Sequence, residues 1–199
     1  MNESQPHDGR RIRNKDAYSL GLQEPFRFRS VDWWDDFDLL FDWRSDPGSI
    51  ESTIGHNLVT RREHEQWMNS VALDPRRKRL LAIAEWPVRK LEPVGLVTTT
   101  ATQYGIDLAW MIAPEWRGKG LGKLMVQSMV KSLSPAPVYA FIRWDNEASI
   151  HCARFAGLNA PARLEMYEHF FNRNPGTVRG EWMAFAKNLP ESPDAAPSP

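Results

Sequence analysis

The stretch Asp107-Leu-Ala-Trp-Met-Ile-Ala-Pro114-Glu-Trp-Arg117-Gly118-Lys119-Gly120-Leu121-Gly122-Lys123 joins an apolar, strand-like run to a glycine-rich turn and then to a helical pattern. The first N–H groups of a helix lack intrahelical partners, and the helix dipole favours an anion in front of them. Glycines let a backbone approach such an anion closely, so the chemistry on offer is phosphate binding. A Walker loop does not fit. Only three residues separate Gly118 from Gly122-Lys123 where that loop has four, and Leu124 stands where a hydroxyl should meet magnesium. A dinucleotide fingerprint does not fit either. Gly118, Gly120 and Gly122 are spaced G-x-G-x-G and follow the fourth expected strand, not the first. The pattern that remains is R-x-x-G-x-G, matched by Arg117, Gly120 and Gly122.

Other reactive side chains are scattered. Cys152 is the single cysteine, so an internal disulfide and a thiolate zinc cluster are both excluded. It shares a helical face with Ala148 and Phe155, the setting of a structural thiol rather than a nucleophile. His7, His56, His64 and His169 lack metal-ligand spacing, and no metal site is expected. Arg76-Arg77-Lys78-Arg79 is the one basic run. Beside Asp74-Pro75 it reads as a solvated turn before a strand, with contact to a phosphate-bearing acceptor as the alternative.

Holding the loop requires a sheet and helices, and their patterns alternate along the chain. Phe26 to Val31 reads as a strand. Asp32 can cap a helix with Trp33, Phe37, Leu40 and Phe41 on one face, ended by Pro47-Gly48. Thr60-Arg61-Arg62-Glu63 is a capping box, followed by His64, Trp67, Met68 and Val71 at i, i+3, i+4 and i+7. Strands are expected at Leu80–Trp86, Val94–Ala101 and Ile106–Ile112. A helix with the stripe Leu121, Leu124, Met125, Met129 and Leu133 follows from about Gly118, and a strand at Val138–Trp144. Asn146 can cap a short helix that Gly157 ends. Two more strands are expected at Arg163–Phe170 and Glu181–Asn188. The order β-α-α-β-β-β-α-β-α-β-β makes an α/β fold: a single mixed sheet flanked by helices, with a meander at its centre.

Composition limits the function classes. The chain has 199 residues, 42% hydrophobic and 25% charged, an amount suited to one domain. Lys plus Arg and Asp plus Glu are both 25, so a strongly basic nucleic-acid footprint is absent. The longest apolar run, Leu108 to Ala113, is six residues, far short of the ~20 of a membrane span. Met1 to Arg13 is polar without a signal-like apolar core, so a cytoplasmic location is expected. Residues 1–24 read as a disordered leader, 25–189 as the working domain and 190–199 as a disordered Pro-rich tail.

Strand, loop and helix together resemble motif A of the GNAT N-acetyltransferase superfamily, with element order similar over about residues 26–188. Arg143-Trp-Asp-Asn146-Glu-Ala-Ser149, followed by Gly157-Leu158, resembles the later segment of that family, although Leu158 replaces a usual aromatic. Trp43-Arg44-Ser45-Asp46-Pro47 and Glu63-His64-Glu65-Gln66-Trp67 are similar to a branch acting on nucleotide-linked amino sugars. The resemblance implies that acetyl-CoA is the co-substrate, with its pyrophosphate on Arg117, Gly118, Lys119, Gly120, Leu121, Gly122 and Lys123, mainly through their backbone N–H groups. It implies that Met111, Ile112 and Ala113 meet the pantetheine like an added strand, beside a bulge. Asn146 and Ser149 would contact the cofactor as well as capping the helix.

The acceptor implied is a primary amine of a small molecule or nucleotide-linked amino sugar, attacking the thioester directly from between the front helices (about 33–70) and the 171–180 loop. Alternatives are an amine on a protein, drug or modified nucleic acid, or a non-catalytic CoA-binding module. An amine of pKa near 10 is only about 0.1% neutral at pH 7, so a base is needed. Related enzymes often carry a carboxylate where Asp107 stands, seven residues before Pro114; Glu85 and His151 are rivals. The family's tyrosine acid, seven residues after the Asn, is replaced by Ala153, and Phe141 occupies the position of the glutamate of some ribosomal-protein acetyltransferases. Water is therefore the expected proton donor, with Tyr167 and His151 as the side chains able to replace it. A monomer or homodimer is expected.

Overall fold

The computed structural model describes residues 26–52, 57–84, 92–175 and 177–189. The expected leader and tail, and Glu85, His7 and His56, lie outside the described residues. In chain order the elements are β1 (Phe26–Ser30), α1 (Phe37–Ser45), α2 (Pro47–Glu51), α3 (Arg61–Ala72), β2 (Arg77–Ala84), β3 (Glu92–Thr102) and β4 (Gly105–Ile112). There follow α4 (Leu121–Ser132), β5 (Val138–Arg143), α5 (Glu147–Phe155), β6 (Ala160–Pro161), α6 (Leu164–Arg173) and β7 (Trp182–Lys187). Short 3-10 turns occupy Pro114–Trp116 and Arg179–Glu181.

The strands form one mixed sheet in the order β1-β2-β3-β4-β5-β7-β6. β1 to β4 are an antiparallel meander, and β4 and β5 are the parallel pair, joined by the crossover through α4. These two strands are in register only at Ile106↔Val138 and Asp107↔Tyr139. β4 runs on to Ile112 and β5 to Arg143, so the strands part just beyond Asp107. On one face, Leu108, Val138, Ala140 and Ile142 pack with Leu121, Leu124, Met125 and Met129 of α4 in the main core. One residue out of phase, Tyr139 packs with Met166 of α6 on the other face.

Several expected elements differ. The strand expected at Arg163–Phe170 is the helix α6. Met166 and Phe170, four apart, are buried, with Tyr167 and Phe171 half-buried beside them. Their period is 3.6; a strand would have put Glu168 on the same face as Met166 and Phe170. Pro47-Gly48 does not end the front helical region but opens α2, with Asp46 as N-cap accepting from the Ser49 N–H at 3.1 Å. Asp32 accepts from Trp34 and Asp35 N–H at 2.8 and 3.0 Å, which caps a turn, and the helix itself waits until Phe37. The basic run is not a solvated turn throughout: Arg77 and Arg79 lie in β2, and Arg79 is only 4% exposed. α4 starts at Leu121, not Gly118, because Gly118 and Gly120 take left-handed φ of 72° and 80°. The Thr60–Glu63 capping box is present, with Glu63 accepting from the Thr60 N–H at 2.8 Å and Thr60 Oγ1 accepting from the Glu63 N–H at 3.2 Å.

Candidate functional site

The glycine loop is shaped by two left-handed residues and opens α4 without a side-chain cap at Gly120. The first N–H groups of α4 are thus left to a ligand, and the dipole adds partial positive charge. Where a Cβ on Gly118 would stand there is nothing within 4 Å, so the loop has room in front of it. Gly122 serves a different purpose: a Cβ there would meet Cys152 Sγ at 3.2 Å and Ile112 Cγ1 at 3.3 Å, so its absence lets α4, α5 and β4 converge. Lys119 Nζ rests 4.4 Å from the Trp116 ring centre and Lys123 Nζ 5.3 Å from that of Phe155, which keeps both ammonium groups beside the loop. An uncapped helix start, the open space at Gly118 and two held cations fit a pyrophosphate.

Leu121 is buried in the core, so it can meet a ligand only through its backbone. Met111 and Ile112 are half-buried and Ala113 is buried at the end of β4, on the edge that has lost β5 as a neighbour. The β3–β4 register runs unbroken from Thr102↔Gly105 to Gly95↔Ile112, and the irregularity lies instead between Ala82 and Ile83 of β2. The expected bulge beside Met111 is therefore absent from this pairing. Asn146 caps α5, its Oδ1 accepting from the Ser149 N–H at 3.0 Å, which places both residues at the turn after β5. Arg117 is engaged elsewhere. Its guanidinium donates to the Asp46 carboxylate and to Ser49 Oγ at 2.6 Å, and its Nε–H to the Ile112 carbonyl at 3.3 Å.

Asp107 is one residue out of phase with buried Leu108 and projects to the α6 face. Its side chain keeps 24% exposure and makes no hydrogen bond to the described residues; Arg173 Nη1 of α6 lies 3.7 Å away. Burial pushes the carboxyl up to about 6, against the opposing pull of Arg173 and, further off, Arg77. Two clefts flank α2. One, of about 470 Å³, is lined by Glu51, Ser52, Asp145, Asn146, Glu147 and Ala148. The other, of about 460 Å³, includes Asp42, Asp46 and Glu115. Both carry carboxylates on their walls.

The model of the acetyltransferase (GNAT) domain family matches residues 26–159. The chain belongs to the GNAT acetyltransferase family. No curated protein sequence matches it, whereas solved structures do. It is similar to the aminoglycoside acetyltransferase AAC(6')-Ib in complex with coenzyme A and kanamycin, at 16% identity and TM-score 0.61, over 81% of this chain and 94% of that one. It is also similar to a spermidine N-acetyltransferase from Vibrio cholerae with CoA and spermine, at 14% identity and TM-score 0.58, over 81% and 93%. An acetyltransferase from Thermus thermophilus matches at 18% identity and TM-score 0.59, over 81% and 96%. At these identities the likeness is one of fold.

Within this GNAT acetyltransferase the proton donor is where departures concentrate. Ala153 is fully buried and has no proton to give. Phe141 stacks on Phe170 with ring centres 4.2 Å apart. The Tyr167 hydroxyl accepts from the Ala184 N–H at 2.9 Å, tying α6 to β7. His151 is exposed on α5. Burial pushes the Cys152 thiol up to about 11, which makes it inert as a nucleophile. Among the described residues, no group of three His, Cys, Asp or Glu side chains could hold a metal, and no helix is long and apolar enough to cross a membrane. Sequence reasoning missed Arg173, which it placed in the 171–180 loop and which ends α6, and Asp46 and Ser49, whose partner lies about 70 residues on. The Asp46-Pro47 pair, an N-cap followed by Pro at N1, was the signal available for α2.

Proposed function

We propose that this GNAT enzyme transfers an acetyl group from acetyl-CoA to a primary amine of a small, cationic molecule, with Asp107 accepting the proton of the amine. The observation that carries the reading is the Asp107 carboxyl: half-buried, without a hydrogen bond to the described residues, poised near 6 on the strand that runs into the donor loop. A base of that strength is ionised at neutral pH yet still takes a proton readily. Acetyl-CoA supplies the activated acyl group. The uncapped N–H groups at the start of α4, with Lys119 and Lys123, would hold its pyrophosphate, while Asn146 and Ser149 flank it from the β5 side. The backbone of Met111 to Ala113 would align the thioester and polarise its carbonyl.

Asp107 lies four residues before Met111, about 13 Å along an extended strand, so the proton would reach it through water. The leaving thiol has a pKa near 8.5, so its thiolate needs no dedicated acid near neutral pH, and a solvent proton completes the turnover. The carboxylates Glu51 and Glu147 on the cleft beside Asn146, where Asp145 is already paired with Arg143, favour an ammonium-bearing acceptor over a phosphate-bearing one.

Thiol release from acetyl-CoA, followed with spermine, kanamycin, a free amino sugar and a nucleotide-linked amino sugar, tests both parts. The expected order puts a polycation at least tenfold above the nucleotide-linked sugar in kcat/KM. The reverse order would return the specificity to the branch that the front motifs resemble. No release with any amine, despite coenzyme A binding, would leave a CoA-binding module.

A further inference from the structure

Arg117 occupies a position of the loop motif where a pyrophosphate ligand is looked for, yet each of its guanidinium nitrogens has a protein partner. Nε–H reaches the Ile112 carbonyl at 3.3 Å, Nη1 the Asp46 carboxylate, and Nη2 Ser49 Oγ at 2.6 Å. The first partner is the last residue of β4, and the other two belong to the cap and first turns of α2. Gly48 is matched to this arrangement, because a Cβ there would lie 2.8 Å from Nη1. Asp46 thus has two duties, capping α2 through the Ser49 N–H and receiving the guanidinium. A helix of five residues cannot fix its own position, since nucleation is unfavourable and few bonds follow it. α2 is held at its far end as well, where Arg143 Nη1 donates to the Glu51 carbonyl at 3.3 Å. Both clefts that flank α2 therefore depend on where these two arginines hold it.

We infer that Arg117 is a positioning residue that fastens α2, the wall of the amine site, to the end of β4, and that its side chain does not hold the donor. This rests on the acceptor reading above. Its value for catalysis is spacing: displacement of one reactant by about 1 Å can cost on the order of 10²-fold in rate.

The variants Asp46→Asn, Gly48→Ala and Arg117→Ala separate the possibilities. Asn still caps a helix but gives up the charge, so Asp46→Asn removes the ionic part of the fastening, leaves the bond to Ser49 Oγ, and keeps the cap. Three quantities are measured: the Kd for coenzyme A by calorimetry, amide hydrogen exchange over residues 48–51, and KM and kcat with the best amine of the panel. The expected result is a coenzyme A Kd within threefold of the parent in all three variants. Exchange in α2 should rise at least tenfold, and kcat/KM for the amine should fall at least tenfold. Asp46→Asn combined with Arg117→Ala should be no worse than Arg117→Ala alone, because both remove one interaction. A tenfold weaker coenzyme A Kd in Arg117→Ala, absent from Asp46→Asn, would make Arg117 a pyrophosphate ligand and overturn the inference. Unchanged exchange in α2 would overturn it too. If the parent releases no thiol with any amine, the acceptor reading fails, while the binding and exchange measurements still decide what Arg117 does.

Discussion

Two clusters of displaced ionisable groups share one face of the sheet, and they differ in what they leave unsatisfied. Arg79 pairs across strands with Thr98, which pairs with Ala109, two residues from Asp107. Under α3, His64 is fully buried, its Nε2–H donating to the Phe37 carbonyl and its Nδ1 accepting from Arg44, both at 2.9 Å. That tautomer follows from Arg44 having only donors to offer. Burial, then the Arg44 charge, lowers the imidazole to about 4, so it stays neutral. Arg44 and Arg79 lie over the Trp67 ring at 4.2 and 3.6 Å. Arg79 also donates to the Trp67 and Met68 carbonyls and to Ser70 Oγ, groups of the second half of α3 where the dipole favours a cation. Among the described residues both ring nitrogens of His64 have partners, and on Arg79 only the buried Nε–H has none. Asp107 is displaced by the same cause, burial, but makes no hydrogen bond to the described residues and has Arg173 at 3.7 Å. A displaced pKa marks burial; a polar group with bonding capacity to spare marks chemistry.

The largest expected effect comes from Asp107→Asn. Turnover should fall 10²- to 10⁴-fold with coenzyme A affinity unchanged, as for a lost general base. Its melting temperature at pH 7 should rise, because a desolvated charge has been removed. Parent-like rates across pH 6–9 would break the contrast and move the proton to another group. His64→Ala should do the opposite. It leaves the Phe37 carbonyl and Arg44 unpaired and should cost about 2–4 kcal/mol in denaturant unfolding, with kcat/KM of the folded enzyme retained.

A smaller effect sharpens the comparison through pH. The folded-state pKa of Asp107, about 6, lies above its unfolded value, so its contribution is fully present at low pH and is lost as pH rises toward 6. That of His64, about 4, lies below its unfolded value, so its contribution is present above pH 6.5 and lost as pH falls toward 4. Between about pH 4.5 and 5.5 the two slopes oppose each other and nearly cancel. Asp107→Asn should expose the slope of His64: its stability should rise relative to the parent by about 1.4 kcal/mol per pH unit over that window. Parallel stability curves for parent and variant would mean that Asp107 is not displaced as described.

Much of the donor side was legible because its signals are local. The Asn146 cap with Gly157 at the helix end and the glycine loop each act within a few residues. The acceptor side was not. Alternation and helical periodicity compete in the short segment from Arg163 to Phe170, and only packing of Met166 and Phe170 against the sheet decides for a helix. A run of four basic residues reads as solvated until α3 folds its carbonyls and Trp67 over Arg79.

The sequence by itself determined that a strand enters a glycine-rich turn and leaves it as a helix, because left-handed glycines and an uncapped helix start need no distant partner. It determined equally that Ala153 and Phe141 cannot act as acid or base, since neither carries a group that titrates. Only the tertiary structure decided what surrounds Arg117 and Asp107. Arg117 meets Asp46, 71 residues earlier in the chain. Asp107 owes its raised pKa to burial, against the lowering pull of the Arg173 that α6 brings to its side. Charge and hydrogen-bond strength depend on distance and desolvation, and those quantities exist only once remote segments have packed together.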